Sequence, residues 1–295
     1  MPSRSSTRAP CRGRDRTDAT VSLVQELIDR ALAEDLGDGD LTSAAVVPAD
    51  AEAIGRIRQK APGVIAGLAV PEAVFATVDP ELEWRAETEE GRWREAGSIA
   101  VVSGSARSIL AGERVALNFL GRLSGVATLT ARFVETVAGT GTRILDTRKT
   151  TPGMRGLEKL AVAAGGGENH RAGLFDAILV KENHAAVAGG VWEAARLAVT
   201  EAPTGSDLVV ECARLEEIDQ ALDVGVPRIL LDNAGPDLVR EAAARVDGRA
   251  VLEVSGGVTL ENVRALAEDG ADLISVGALT HSAPALDVSL TLAPA

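Results

Sequence analysis

Six short apolar runs in the second half of the chain each end in a charged residue or a glycine turn. RILDT (143–147) contains Asp146 and Thr147 and is followed by Arg148 and Lys149. AILVK (177–181) ends on Lys181, DLVVE (207–211) on Glu211, and RILLD (228–232) on Asp232 before Asn233. AVLEV (250–254) contains Glu253 and leads into Ser255, Gly256 and Gly257. LISVG (273–277) ends on Gly277, with Ala278, Leu279 and His281 next. A single charge at such a place is ordinarily a solvated loop residue. Six in succession point to a site.

The groups sort into three chemistries. Arg148, Lys149, Arg171 and Lys181, with His170, make a cationic set. Segment 143–184 holds Arg143, Arg148, Lys149, Arg155, Lys159, Arg171 and Lys181 against Asp146, Glu158, Glu168, Asp176 and Glu182, a local excess of positive charge in a chain of net charge −13. Arginine offers a planar fork to carboxylate or phosphate and lysine a point charge, so this set suits a small dianion. Glu211 and Asp232 end adjacent strands, where two carboxylates can hold a magnesium ion through water or bind sugar hydroxyls; salt-bridge partners for the basic cluster would have the same composition. Ser255-Gly256-Gly257, followed by a helix expected to start near Thr259, has the form of a phosphate cradle, and Gly277-Ala278 is a second such turn.

Those groups need a scaffold that brings strand ends together. Between the apolar runs lie amphipathic stretches such as LEEIDQALDVG and PDLVREAAARVDG, with apolar residues recurring at three and four and a glycine near each end. Strand–helix alternation with unbroken apolar strands predicts a parallel sheet, and six units predict a barrel or most of one, whose functional groups gather at the C-terminal strand ends. The first part of the chain reads differently. SLVQELIDRALAEDLG is an amphipathic helix, 52–66 and 82–105 contain short alternating strands, and 105–139 is long and helical in period with a break expected near Gly121–Gly125. The expected division is therefore a disordered extension over 1–20, a smaller domain over 21–125, a barrel over 126–283, and a helical stretch within 284–295 that returns to one unit or the other.

Composition narrows the function further. A strongly acidic chain repels nucleic acid and anionic membrane, and 2% aromatics leave little to stack bases on. No apolar run reaches the roughly 18 residues of a membrane span. Cys11 and Cys212 are too few and too far apart for a cysteine zinc site, and a reducing cytoplasm fits them. Residues 1–16, rich in Arg, Ser and Pro, lack the apolar centre of a secretory signal. No GxSxG elbow, P-loop or His/Cys/Asp spacing for a transition metal is present. Only four of the 30 basic residues are lysine, Lys60, Lys149, Lys159 and Lys181, and three fall between 149 and 181. A chain that otherwise prefers arginine keeps a compact ammonium in that segment.

Several motifs resemble one family. ERVALNFLGRLSGVAT (113–128), DTRKTTPGMR (146–155), GGGENHRAGL (165–174), ILVKENH (178–184), ILLDN (229–233), EVSGGV (253–258) and ISVGALTHSAPALDVSL (274–290) look like the motif series of the quinolinate phosphoribosyltransferases, in order, over nearly all the chain after residue 20. The resemblance implies an α/β fold with an N-terminal α/β sandwich domain plus an incomplete (TIM-like) α/β barrel, acting as a homo-oligomer with its active site at a dimer interface. It implies transfer of phosphoribosyl from phosphoribosyl pyrophosphate to quinolinate with decarboxylation, and Mg2+ as cofactor. It assigns Thr147, Arg148, Lys149, His170, Arg171 and Lys181 to the substrates, and Arg114 to the neighbouring subunit's site. Glu211 and Asp232 go to ribose and magnesium. Ser255, Gly256, Gly257, Gly277, Ala278 and Leu279 go to phosphate, with His281 beside them. Lys149, Lys181, Glu211 and Asp232 are the expected catalytic set.

Two departures stand out: Cys212-Ala213 after Glu211, where the family more often carries a second acid, and Val254 before the Ser-Gly-Gly turn. Three other readings remain at this point. One is a paralogue with another acceptor, such as the molybdenum-associated phosphoribosyltransferase-like proteins. Another is a phosphate-binding barrel lyase or aldolase with Lys149 or Lys181 as Schiff base. The third is a non-catalytic ligand sensor.

Overall fold

The computed structural model describes residues 14–295, with side-chain environments from residue 23 onward. The chain opens with α1 (Arg14–Leu36) and α2 (Leu41–Val46), the latter capped by Asp40, whose Oδ1 accepts the N–H groups of Thr42 and Ser43 at 3.0 Å each. Then come β1 (Glu52–Gln59), β2 (Gly63–Val64), α3 (Ala69–Val78), β3 (Glu83–Ala86), β4 (Trp93–Arg94), β5 (Gly97–Ser105) and the long helix α4 (Ala106–Thr136). Ala53, Gly55, Ile57 and Gln59 of β1 are buried while Glu52, Arg56 and Arg58 are exposed, the alternation of a half-buried strand. Its apolar face packs on α4, and beside it Phe75 of α3 stacks on Trp84 of β3 with ring centroids 5.8 Å apart.

The barrel half follows as β6 (Arg143–Leu145), α5 (Arg155–Ala164), β7 (Ala177–Val180), α6 (Glu182–Ala188), α7 (Val191–Glu201), β8 (Asp207–Cys212), α8 (Leu215–Asp223), β9 (Arg228–Asp232), α9 (Pro236–Val246), β10 (Val251–Ser255), α10 (Val263–Glu268), β11 (Leu273–Ser275), α11 (Ala278–His281) and finally β12 (Val288–Pro294). The six strands β6 to β11 form one parallel sheet in the order β6-β11-β10-β9-β8-β7. β6 and β7, consecutive in the chain, are thus its two edges, and the barrel is open between them. Among the described residues a single bridge lines the open β6 edge. Glu168 donates its N–H to Ile144 O (2.8 Å), and its carbonyl accepts from Asp146 N–H (3.1 Å).

Three expectations change. Residues 14–20 are helical rather than disordered, while 1–13 lie outside the described residues. The 284–292 stretch is not a helix. Its Val288, Leu290 and Leu292 alternate, and β12 pairs antiparallel with β1, Ile57 opposite Leu290, giving the four-stranded sheet β12-β1-β5-β3. Finally, α4 runs unbroken through Gly121 and Gly125.

Those two glycines serve contact rather than termination. The chain returning to β12 crosses α4 there. Leu286 donates its N–H to Gly121 O at 2.9 Å, and a Cβ at Gly121 would lie 3.0 Å from Leu286 O. A Cβ at Gly125 would overlap the Pro284 carbonyl oxygen. Helix α4 therefore belongs to both halves, packing on α3 at one end and on α5 and α11 at the other.

Gly125→Ala separates the two possible roles of that glycine. Alanine improves helix propensity by about 1 kcal/mol, whereas overpacking costs roughly 1–3 kcal/mol. We expect a net loss of stability in urea denaturation; a stabilised variant would show that the crossing of 284–286 over α4 is not tight.

Candidate active site

Strand alternation decides which side chains face into the barrel. Leu208, Val210, Ile229, Leu231, Leu252, Val254 and Ile274 point outward into the main hydrophobic core, whereas Val209, Leu230 and Leu273 are buried outside that cluster, on the inner face. One pleat further along, the inner positions become Glu211, Asp232, Ser255 and Ser275. The result is a cavity of about 170 Å³ at the C-terminal strand ends. Thr147, Arg148, Lys149, His170, Arg171, Leu179, Lys181, Leu230, Asp232, Glu253, Ser255 and Ser275 line it.

Two buried ion pairs hold its cationic wall. Asp146 is fully buried and Lys159 is 6% exposed. Lys159 Nζ donates to Asp146 Oδ1 (2.6 Å) and to His170 O (2.8 Å), and the His170 N–H donates to the same Asp146 oxygen (2.8 Å). With its amide nitrogen turned to these acceptors, Asn169 adds donations to Asp146 Oδ2 (2.8 Å) and Lys159 O (3.0 Å). Burial pushes the Asp146 carboxyl up against the opposing pull of Lys159 and the His170 N–H. The preceding Gly165 and Gly167 let this turn lie against α4, where a Cβ on Gly167 would be 2.7 Å from Thr130 Cγ2.

The second pair is Arg122 of α4 with Glu158 of α5, 2.7 Å apart, the glutamate fully buried. Glu158 also accepts the Thr151 N–H (3.0 Å) and hydroxyl (2.8 Å), and Arg122 donates to Ala283 O (2.8 Å) and to Thr280 O. Thr280 Oγ1 in turn donates to Lys149 O (2.7 Å). Arg155 braces the same loop from its other side, through Thr150 Oγ1 (3.0 Å) and Ala172 O (2.9 Å). Arg148 and Lys149 thus stand on a loop held from three directions.

Inside the cavity Arg148 and Arg171 bring two positive charges together. Arg148 Nε is buried with no hydrogen-bond partner among the described residues. Burial and the neighbouring Arg148 charge both lower the Arg171 pKa. Two guanidinium groups this close favour an anionic guest. Lys181 Nζ reaches Glu211 Oε2 at 3.2 Å. At the cavity floor Glu253, fully buried, accepts from Arg228 Nε (2.8 Å) and from Ser275 Oγ, and lies 3.6 Å from His170 Nε2. Burial would raise its carboxyl, but His170, Arg228 and Ser275 together hold it below the usual range.

The remaining expected residues fall into place unevenly. Asp232 is exposed, two residues beyond Leu230, which stands opposite Glu211 on the adjacent strand, and accepts from Asn233 Nδ2 at 3.0 Å. Among the described residues no three His, Cys, Asp or Glu side chains group as a metal site. After Glu211 stand Cys212 and Ala213, and the nearby Glu217 pairs with Arg214 at 2.6 Å. Glu217 Oε2 accepts the Ala213 N–H at 2.7 Å and shares a groove with Glu211 and Asp232. Gly256 takes φ +86°, and a side chain there would collide with Asn233, itself left-handed at φ 56°. The helix after this turn begins at Val263 rather than near Thr259, because Thr259 to Asn262 are taken up by a turn in which Thr259 N–H donates to Asn262 Oδ1 (2.8 Å). Gly277 caps the four-residue α11, whose first N–H groups, on Ala278 and Leu279, have no intrahelical partner. The exposed His281 lies against Gly277, and its Nδ1 is 2.6 Å from Ser282 Oγ. His184 serves locally, its Nδ1 accepting the Lys181 N–H at 2.9 Å. Arg114 does not line its own chain's cavity; it sits on α4 with its side chain 63% exposed.

Sequence reasoning missed Arg122, Glu158, Asp146 and Lys159 as organisers of the site. Signals existed. Arg122 interrupts the apolar run of α4, and the lysine cluster includes the one lysine that a compact buried pair requires. Their pairing, across 36 residues in one case, left no local trace.

Comparison with known proteins agrees along the chain. The family model described as quinolinate phosphoribosyl transferase, C-terminal domain, matches residues 126–291, and that described as quinolinate phosphoribosyl transferase, N-terminal domain, matches 40–124. A Bacillus subtilis (strain 168) protein named probable nicotinate-nucleotide pyrophosphorylase (carboxylating) is 39% identical over 268 residues, covering 90% of this chain and 92% of its own. The Nicotiana tabacum quinolinate phosphoribosyltransferase (decarboxylating) 2b, mitochondrial, is 40% identical over 291 residues, covering 91% and 82%. Among solved structures, the nicotinate-nucleotide pyrophosphorylase from Francisella tularensis superposes with a TM-score of 0.88 at 35% identity, over 92% of this chain and 96% of that one. NadC from Streptococcus pyogenes does so with 0.88 at 36%, over 92% and 97%.

Removing one partner of a buried pair leaves the other charge stranded, at a cost of about 3–5 kcal/mol. Lys159→Met should therefore lower the unfolding free energy by that order. The double variant Asp146→Asn/Lys159→Met should recover part of the loss. Strict additivity in urea unfolding would show that the two groups are not coupled.

Proposed function

The chain belongs to the quinolinate phosphoribosyltransferase family, and from that premise we propose how its own residues carry the reaction. The protein transfers phosphoribosyl from phosphoribosyl pyrophosphate to quinolinate with decarboxylation, giving nicotinate mononucleotide, pyrophosphate and carbon dioxide, a step of NAD biosynthesis. Family membership sets aside the lyase and sensor readings.

The observation that carries the residue assignment is the buried Arg148 Nε, without a partner among the described residues and close enough to Arg171 for the two charges to interact. Arg148 and Arg171 bind the two quinolinate carboxylates and set the ring nitrogen toward the ribose C1. Lys149 and Lys181 stabilise the pyrophosphate, and Glu211 and Asp232 hold the ribose hydroxyls. The 5′-phosphate sits on the N–H groups of the Ser255–Gly257 and Gly277–Leu279 turns, with His281 at their edge. As the C1–oxygen bond breaks, its electron pair leaves with pyrophosphate and the ribose becomes oxocarbenium-like. The ring-nitrogen lone pair then forms the C1–N bond. The bond to the adjacent carboxylate breaks next, carbon dioxide departs, and the electron pair remains on the ring carbon beside the cationic nitrogen until it takes up a proton. Positioning and preorganised charge supply the catalysis.

A pair of carboxylates, one already engaged by Lys181, suits an ion that takes most of its ligands from phosphate and water. Glu211 and Asp232 would hold Mg2+ in that way, and the ion when bound supplies positive charge to the pyrophosphate. The exposed Arg114 supports a homodimer or a larger homo-oligomer in which it enters the neighbouring site. A buried free Cys212 suits the cytoplasm. Among the described residues no helix is long and apolar enough to cross a membrane.

Release of labelled carbon dioxide from the 2-carboxylate of quinolinate should require both phosphoribosyl pyrophosphate and magnesium. Release without phosphoribosyl pyrophosphate would overturn the order of steps. Arg148→Ala should cost about 2–5 kcal/mol in kcat/KM, roughly 30-fold or more; near-normal turnover at low quinolinate would refute its role. Mixing Arg114→Ala with Lys181→Ala protein should restore part of the lost activity if Arg114 acts in its partner's site, and none if it acts at home.

A further inference from the structure

We propose that Glu253 is a positioning residue for the dicarboxylate: it fixes the tautomer and orientation of His170, and through that ring the placement of Arg171. Glu253 is the only fully buried carboxylate among the residues that line the cavity, and the reaction scheme above gives it no task. It projects inward from the middle of β10. The groups facing it are Arg228 from β9 (Nε at 2.8 Å, Nη2 at 2.7 Å), Ser275 from β11, and His170 from the turn after α5 (Nε2 at 3.6 Å).

The His170 ring is held at one nitrogen and faces a carboxylate with the other. Its Nδ1 accepts the backbone N–H of Arg171 at 2.7 Å. A ring nitrogen that accepts carries no proton, so in the neutral ring the proton sits on Nε2, the nitrogen that faces Glu253. The opposite tautomer would set two N–H groups against each other at Nδ1 and aim a lone pair at a carboxylate. The His170 backbone is pinned as well, by Asp146 and Lys159. Nδ1 is thus committed within the protein and Nε2 faces the Glu253 carboxylate at 3.6 Å, so His170 acts as a spacer between Glu253 and Arg171. Arg228 and Ser275 keep the Glu253 carboxylate turned toward the ring. A glutamine at 253 would offer one oxygen where Arg228 and Ser275 now each donate to a separate one, and would turn an amide N–H₂ toward one side.

The role rests on the assignment of Arg171 to a substrate carboxylate, so the test has two separate readouts. Nitrogen-15 NMR of histidine-labelled full-length protein, without substrates, reports the tautomer directly. The chain has three histidines, and His170 is identified by the signal missing in His170→Gln. The wild type should show a protonated Nε2 and an unprotonated Nδ1. A protonated Nδ1 in the neutral ring would overturn the proposal, whether or not any variant folds. In Glu253→Gln the tautomers should mix, and KM for quinolinate should rise by about tenfold while kcat changes by less than about threefold, the signature of lost ground-state placement. An unchanged KM in a folded Glu253→Gln protein would also overturn it. If the wild type released no carbon dioxide from quinolinate, the substrate assignment would fall and the role with it, while the NMR result would still report on the geometry.

Discussion

A single carboxylate oxygen, Asp146 Oδ1, accepts both the Lys159 ammonium and the His170 N–H. Burying such a pair is costly unless every remaining donor and acceptor is met. Here the Lys159 ammonium also holds the His170 carbonyl, and Asn169 meets the second Asp146 oxygen. The constraint reaches beyond its own atoms. It ties the end of β6 to α5 and to the turn that carries His170 and Arg171, at the edge where the barrel lacks strand-to-strand closure. On its paired side β6 runs beside β11 as far as Leu145 opposite Ser275. On its open side the buried ion pair holds the strand end, and two of the cationic groups of the cavity depend on it.

Helix α4 extends the same logic to the other half of the molecule. Its small residues let the returning chain cross closely at Gly121 and Gly125, and that crossing delivers β12 to the first sheet. Between those glycines, Arg122 reaches out of the helix to Glu158, to the Thr280 carbonyl within α11 and to the Ala283 carbonyl after it. One helix therefore fixes the distance between the antiparallel sheet and the catalytic loop. The two matched family regions meet within it, at residues 124 and 126, so the boundary between them is not a flexible linker.

Charge in the cavity is arranged in layers. Glu253 and Arg228 neutralise one another at the floor, Arg148 and Arg171 face each other's field above them, and Glu211 and Asp232 stand at the far rim. Concentrating like charges lowers the stability of the empty protein and raises its affinity for an anion that relieves the repulsion. The layering also explains how a chain of net charge −13 binds anionic substrates, since the acidic excess lies elsewhere and the local field decides.

The sequence by itself determined the strand–helix rhythm, the six polar strand ends and the residue types of the cavity. These follow from periodicity and from groups adjacent in the chain. It also set Glu211 and Asp232 at the ends of adjacent strands, and the register, with Glu211 opposite Leu230, puts Asp232 one pleat further along the same face. It misread Gly121 and Gly125 as a break and 284–292 as a helix. Glycine in a helix and a short Ala- and Leu-rich run each have two local meanings, and only what lies against them chooses. Tertiary structure alone decided that Lys159 belongs to Asp146, that Arg122 belongs to Glu158, and that His170 turns its nitrogens to Arg171 and Glu253. Apart from the contact between His170 and its neighbour Arg171, such pairings join residues 13 or more positions apart, and their energies depend on burial, a property that no residue has until the fold surrounds it.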